Sequence, residues 1–275
     1  MKMTKPELKD YIQKYVGVEN AKKQQVLRLL NDFFGVSGSN DRPQKFADFG
    51  MILAGGTINS IYSGRPVNDL DFYLRDMNQW QAVVDYCAEI FGKCKYETDN
   101  AITFERKVGK KKFEVQIIKR FSGTPREILD TFDFTIVQGC YDFLTEQFVL
   151  DDNFLPHIAQ RVLKFTSTSH YPICALIRTR KYQDRGYFIP NSTLLAISFA
   201  INRLDLSTYK ELKDQLLGID TMFLCKFLET LDDNETLTDS DRAEFIDMCC
   251  TLIDNAVSEI FNESGDGESD TVTFE

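Results

Sequence analysis

Asp69 and Asp71 stand one residue apart in the stretch NDLDFYLRD, where Leu70, Phe72 and Leu74 alternate with Asp69, Asp71 and Tyr73. That alternation has the period of a β-strand, whose successive side chains project to opposite faces, so both carboxylates are expected on one face. Paired acidic oxygens suit a hard cation, here Mg²⁺ as two ions with Mn²⁺ as a substitute. A third carboxylate, Glu114, lies in FEVQII, where Gln116 faces the same way. Upstream, Gly55 and Gly56 close the apolar run FGMILAGG and lead into TINSIYSG. A Gly-Gly turn lacks the Cβ atoms that block a triphosphate, and the amides entering the next helix, with the Thr57 hydroxyl, are expected to hydrogen-bond phosphate oxygens.

The elements that would position these groups follow from local pattern. Two helices are expected from PELKDYIQKYVG to NAKKQQVLRLLNDFFG, then a Gly/Ser-rich loop over residues 35 to 45. A short strand over FGMILAGG, a brief helix and the Asp69–Asp71 strand come next. The amphipathic stretch MNQWQAVVDYCAEIFG precedes a hairpin, AITFERKV and FEVQIIKRF, joined by the basic turn GKKK. TPREILDTF reads as a short helix with Thr124 as N-cap and Pro125 at its first position, and FDFTIVQGCYDF as a further strand. From residue 154 onward helical periodicity dominates, beginning with LPHIAQRVLKF.

Composition narrows the class. With 43% hydrophobic residues and 22 Phe, the chain has ample apolar material for a packed core. No run approaches a membrane span and the N-terminus has no apolar leader, so a cytoplasmic protein is expected. The seven cysteines include no CxxC pair, and with only His157 and His170 beside them they read as buried, reduced thiols rather than zinc ligands. The net charge of −10 is unevenly spread: residues 1 to 204 hold 28 Lys and Arg against 23 Asp and Glu, whereas residues 205 to 275 hold 4 against 19. A polyanionic substrate therefore remains compatible with the first three quarters.

Four blocks in order resemble the polymerase-β-like nucleotidyltransferase superfamily, and within it the bacterial poly(A) polymerases and CCA-adding tRNA nucleotidyltransferases. LAGGTINSIYSG…NDLDFYL resembles the family's Gly-Gly helix turn and DxD strand, and AITFERKVGKKKFEVQIIKRF its next, glutamate-bearing hairpin. FDFTIVQGCYDF is similar to its Arg-Asp-Phe-Thr-Ile-Asn-Ala strand at Asp133 to Ile136, and LIRTRKYQDRGYFI to its Leu-Arg…Arg-Phe…Gly-Phe helix at Arg178, Lys181, Tyr182, Gly186 and Tyr187. The resemblance implies transfer of a nucleoside monophosphate from an NTP to an acceptor hydroxyl with release of pyrophosphate. It implies Mg²⁺ on Asp69 and Asp71, Glu114 as third ligand or base, the triphosphate on Gly55, Gly56 and Thr57, and nucleotide contacts from Asp133, Arg178 and Lys181. An RNA 3′ end, of a tRNA, is the acceptor it favours. The pattern departs from the family at Asn59-Ser60, in place of Arg-Asp, and at Val137-Gln138, in place of Asn-Ala. It also lacks the Glu-Asp-x-x-Arg element that reads the incoming base. A protein or small-molecule acceptor, or a catalytically silent regulatory module, therefore stays open.

The expected fold class is α+β: a small mixed and antiparallel sheet forming a nucleotidyltransferase head flanked by helices, followed by an all-helical C-terminal lobe. The expected divisions are N-terminal helices packed on the head (1–45), catalytic head (46–153), helical lobe (154–262) and an acidic, disordered tail (263–275).

Overall fold

A computed structural model describes residues 5–35, 41–109, 111–216, 230–233 and 235–263, with side-chain surroundings for 18–35 and from 41 up to 252 within those ranges. The remaining residues, including Lys110 of the basic turn, Cys225 and the acidic tail from 264, lie outside the described part. The chain divides into two compact units, one within Met1–His170 and Thr179–Ala196, the other within Tyr171–Arg178 and Ile197–Glu275.

The first unit is built on a seven-stranded sheet. Its elements run α1 (Lys5–Phe34), α2 (Arg42–Asp48), β1 (Met51–Ala54), α3 (Gly56–Ser63), β2 (Asp69–Leu74) and α4 (Trp80–Phe91). They continue as β3 (Tyr96–Glu97), β4 (Ala101–Val108), β5 (Lys111–Ser122), α5 (Pro125–Leu129), β6 (Gly139–Asp142), β7 (Gln147–Leu150) and α6 (Phe154–Gln160). The strand order is β3-β4-β5-β2-β1-β6-β7. β2 and β5 run parallel and every other pair is antiparallel, so the α+β mixed sheet is as expected.

One face of the sheet is apolar over its centre. Leu53, Leu70, Phe72, Phe104, Val115 and Ile117 pack there against Leu30 and Phe34 of α1, Phe46 of α2, Ile58 of α3 and Val83 of α4. Phe46 sits at the centre, with ring centroids 5.3 Å from Phe34, 5.3 Å from Phe72 and 5.2 Å from Phe143 in edge-to-face geometry. On the opposite face only part is covered: Ile52, Ala54, Tyr73 and Cys140 meet Ile128 and Leu129 of α5. Thr124 and Glu127 close a capping box at the start of α5, with Pro125 in its first turn, which matches the N-terminal signal in TPRE.

Four local expectations give way to tertiary context. The N-terminal region forms one continuous helix, α1, rather than two, and Gly17 does not break it. Residues 42–45, the end of the segment expected as loop, open α2, because Pro43 fits a first helical turn and Phe46 is drawn into the core. The buried Arg42 side chain donates through Nη1 to the Gly35 carbonyl at 2.8 Å, satisfying the end of α1. FDFTIVQGCYDF is a strand only over Gly139–Asp142, while Thr135–Val137 is a single 3-10 turn. Backbone bonds to the chain at 164–166 hold that turn: Thr135 N–H to the Lys164 carbonyl at 3.0 Å, and Thr166 N–H to the Asp133 carbonyl at 2.9 Å. Finally, α6 stops at Arg161, which adopts the left-handed conformation (φ 52°), so Val162–Phe165 does not continue the helix.

α7 (Pro172–Asp184) and α8 (Asn191–Ile201) follow, each with residues in both units. The second unit packs Leu212 and Leu216 of α9 (Tyr209–Leu216) with Leu237 and with Phe245 and Cys249 of the helix Asp239–Glu263, against Ile173 and Ile177. Thr208–Glu211 and Thr238–Asp241 cap these helices reciprocally. No helix among the described residues is long and apolar enough to cross a membrane. The described cysteines are all free thiols, buried at 87, 140, 174 and 249, half-buried at 94 and exposed at 250.

Candidate active site on the open sheet face

The site begins where β1 ends. Gly55 carries φ 75° and ψ −130°, a backbone conformation that side-chain-bearing residues rarely adopt, and an added Cβ would sit 3.0 Å from the Phe132 ring. Gly56 is different: a Cβ there would meet nothing within 4 Å. The space over the first turn of α3 is therefore open, as a phosphate cradle requires. The Thr57 hydroxyl, expected at the phosphates, instead donates to the Asp69 carbonyl at 2.9 Å, and Thr57 is only 2% exposed. It clamps the first turn of α3 to the first residue of β2.

β2 presents Asp69, exposed, and Asp71, half-buried, with Tyr73 beyond them, while Leu70, Phe72 and Leu74 enter the core. The parallel pairing with β5 then sets Asp69 opposite Glu114 and Asp71 opposite Gln116. The next strand continues both rows, with Glu105 opposite Glu114 and Thr103 opposite Gln116. Adjacent strands lie about 4.8 Å apart, so Asp69, Glu114 and Glu105 form a row of carboxylates on one face. Gln116 Nε2 donates to the Thr103 hydroxyl at 3.2 Å.

Lys95, from the segment before β3, meets this row. Its ammonium pairs with Glu114 and lies 3.1 Å from Glu105, which also receives Lys107 at 3.2 Å. Burial works to lower the Lys95 pKa, but the two glutamates raise it overall. Burial likewise pushes Glu105 up, and its bonds to Lys95 and Lys107 bring it below the usual carboxylate range. The chemistry of the donor set fits a hard cation: Asp69 and Asp71 offer oxygen ligands on one face of β2. Among the described residues no group of three or more His, Cys, Asp and Glu is arranged to hold an ion.

The expected nucleotide contacts are distributed unevenly. Asp133 is 5% exposed and precedes the Thr135–Val137 turn. Asn59, one turn into α3, holds that turn against the helix by donating from Nδ2 to the Ile136 carbonyl at 2.8 Å and to the Tyr187 hydroxyl at 3.1 Å. Tyr187 lies 6.0 Å from the Tyr182 ring, which in turn packs on Phe134 at 5.4 Å. Lys181 is an exposed residue of the same unit, whereas Arg178 belongs to the second unit. His157 Nδ1 lies 2.7 Å from the Thr135 hydroxyl, and burial together with Lys164 keeps its pKa down against the pull of Asp151. Pattern reading missed Lys95, which no motif marks, and Glu105, although the alternation of Thr103, Glu105 and Lys107 in AITFERKV already placed it on the polar face.

These features define a mixed-sheet head with paired strand carboxylates beside a glycine-opened helix N-terminus. Residues 20–161 match the sequence profile of the Gabija anti-defense 2 family protein, and the chain belongs to that family. The match spans Gly55 to Asp133 and stops short of Arg178 and Lys181. Gabija anti-defense 2 of Bacillus phage SPbetaL7 is 36% identical over 169 residues, 61% of this chain and 41% of the relative. The aligned part is thus about two-fifths of that relative's length. Among solved structures, a CCA-adding enzyme in its apo form I overlaps 70% of this chain and 49% of its own, at 17% identity and a TM-score of 0.49. A tRNA nucleotidyltransferase complexed with a primer tRNA and an incoming ATP analog overlaps 70% of this chain and 61% of its own, at 18% identity and a TM-score of 0.45.

Proposed function

We propose that this chain is a Mg²⁺-dependent nucleotidyltransferase that serves the anti-defense role its family name states. The observation that carries the reading is the placement of Asp69 and Asp71 on one face of β2, with the Thr57–Asp69 bond fixing them beside the glycine-opened start of α3. Asp69 and Asp71 would hold the divalent cation, with Mn²⁺ as a substitute. When bound, the cation would neutralise the triphosphate and favour ionisation of the attacking hydroxyl. The amides at Gly56 and Thr57 orient the phosphates, and Asp133 and Lys181 contact the nucleotide. A bond forms between the acceptor oxygen and the α-phosphorus, the bond to the β-phosphate bridge breaks, pyrophosphate leaves, and the hydroxyl proton passes to Glu114.

The proposed acceptor is an RNA 3′ end, that of a tRNA, on the order of the four family-like blocks. Membership of an anti-defense family, together with the missing base-reading element, favours a second reading in which the acceptor is a protein or small molecule of the defence system. The test is incubation of the chain with each α-labelled NTP, Mg²⁺ and either total RNA or lysate of cells bearing that defence, beside Asp69→Ala/Asp71→Ala. Label in RNA that needs both aspartates is the expected result. Label confined to protein or small molecules transfers the conclusion to the second reading, and no aspartate-dependent label with any NTP rejects both.

A further inference from the structure

The carboxylate row across β2, β5 and β4 is unevenly neutralised. Glu105 receives Lys95 and Lys107, Glu114 receives Lys95, and Asp69 has no ion pair among the described residues. Three aligned carboxylates repel one another, and a cation placed between Glu114 and Glu105 relieves part of that repulsion while leaving Asp69 open. Lys95 is well placed for this: its backbone N–H is fixed to the Thr103 carbonyl at 2.8 Å, while its side chain is 40% exposed. A water-exposed ion pair is readily exchanged for a stronger electrostatic partner. The same ammonium that stabilises Glu114 therefore competes with any divalent cation that would recruit this carboxylate.

We propose that Lys95 is a positioning residue that holds Glu114 out of the cation site formed by Asp69 and Asp71 until a nucleotide-bound cation draws the glutamate away. This rests on the reading of Asp69 and Asp71 as cation ligands and adds to it an order of assembly. In the nucleotide-free protein the site is a two-carboxylate site of modest affinity. An arriving triphosphate supplies an alternative partner for the Lys95 ammonium, so nucleotide and cation bind with positive coupling.

The test is titration of the full chain with Mn²⁺ in the absence of nucleotide, followed by the electron paramagnetic resonance of the free ion. Lys95→Met is expected to tighten Mn²⁺ binding by roughly three- to tenfold, since it frees Glu114 and removes a nearby positive charge. Lys95→Arg keeps the pair and should match the parent. In the Glu114→Gln background the Lys95→Met gain should vanish. An unchanged affinity in Lys95→Met, or an equal gain with Glu114 already replaced, overturns the inference, the latter because it marks a long-range charge effect alone. Glu114→Gln by itself should weaken binding by less than about threefold, and a loss above tenfold would mean that Glu114 already coordinates the ion. That single variant keeps the idea testable if Lys95→Met does not fold. Retention of Mn²⁺ binding by Asp69→Asn/Asp71→Asn overturns the site itself, an outcome separate from any failure at Lys95.

Discussion

Two aspartates flank β1 on the same sheet face and have opposite surroundings. Asp142, at the end of β6, is 1% exposed and accepts hydrogen bonds from Arg75 at 2.7 Å, from the Thr145 hydroxyl at 2.6 Å and from the Leu144 amide at 3.2 Å. Asp69, at the start of β2, is exposed beside the first turn of α3. A carboxylate whose lone pairs are met by protein groups is a structural element, and one left facing solvent beside a helix N-terminus has its charge available for a ligand. The comparison separates a residue that holds the sheet from one that the sheet holds out.

The largest effect should come from Asp69→Asn/Asp71→Asn. Nucleotidyl transfer is expected to fall on the order of 10³-fold, because the variant removes preorganised charge from the reacting centre. The melting temperature should barely move for Asp69→Asn alone, since substitutions at exposed positions cost about 0.5 kcal/mol or less. Differential scanning fluorimetry beside a pyrophosphate-release assay checks both halves. A large loss of stability at Asp69 would erase the contrast with Asp142.

Asp142→Asn should show the reverse: a loss of about 2–3 kcal/mol in urea unfolding, because Arg75 is left without its charged partner in a largely buried setting. Burial pushes the Asp142 pKa up, but the Arg75 and Thr145 bonds, the Arg75 charge and the Leu144 amide bring it below its ordinary 3.8. The folded-state pKa is thus lower than the unfolded one. Its stabilisation is complete above about pH 4 and is lost as the pH falls through the folded value. The parent should therefore lose stability below pH 4 more steeply than Asp142→Asn, and parallel acid profiles would reject the assignment.

What was legible in the sequence was local. The period-2 run NDLDFYL and the Gly-Gly turn were readable because strand alternation and glycine conformation act over a few residues. Glu114 entered the candidate site through the family-like hairpin and not through local pattern, since parallel register between distant strands leaves no local trace. FDFTIV has the composition of a strand, yet Asn59 and the chain at 164–166 hold part of it as a turn, which is tertiary context overriding propensity. The region expected as loop over 35 to 45 contains the start of α2 because its glycines and serines end at residue 39, before Arg42 and Pro43.

Gly55→Ala probes the turn beside Asp69 and Asp71. The positive φ and the Phe132 ring both oppose a Cβ, so a loss of about 2 kcal/mol is expected, measured by urea unfolding. Gly56→Ala should be nearly neutral for stability, because its Cβ would enter open space, and should instead weaken NTP binding in a KM measurement. Equal stability losses at the two glycines would mean that the space over α3 is closed.

The smallest effect should be the most discriminating, at Thr57. A hydroxyl that served the phosphates would, on replacement by Val, raise KM for NTP and leave stability alone. A hydroxyl that clamps α3 to β2 through the Asp69 carbonyl would cost about 1 kcal/mol, or about 2–4 °C in melting temperature, by leaving that carbonyl short of a donor. It would also lower kcat about tenfold by loosening the strand that carries both aspartates. The structure favours the second outcome for Thr57→Val, with Thr57→Ser restoring kcat and stability together. A KM effect without a stability change would return Thr57 to the phosphates and leave the position of β2 to its sheet partners alone.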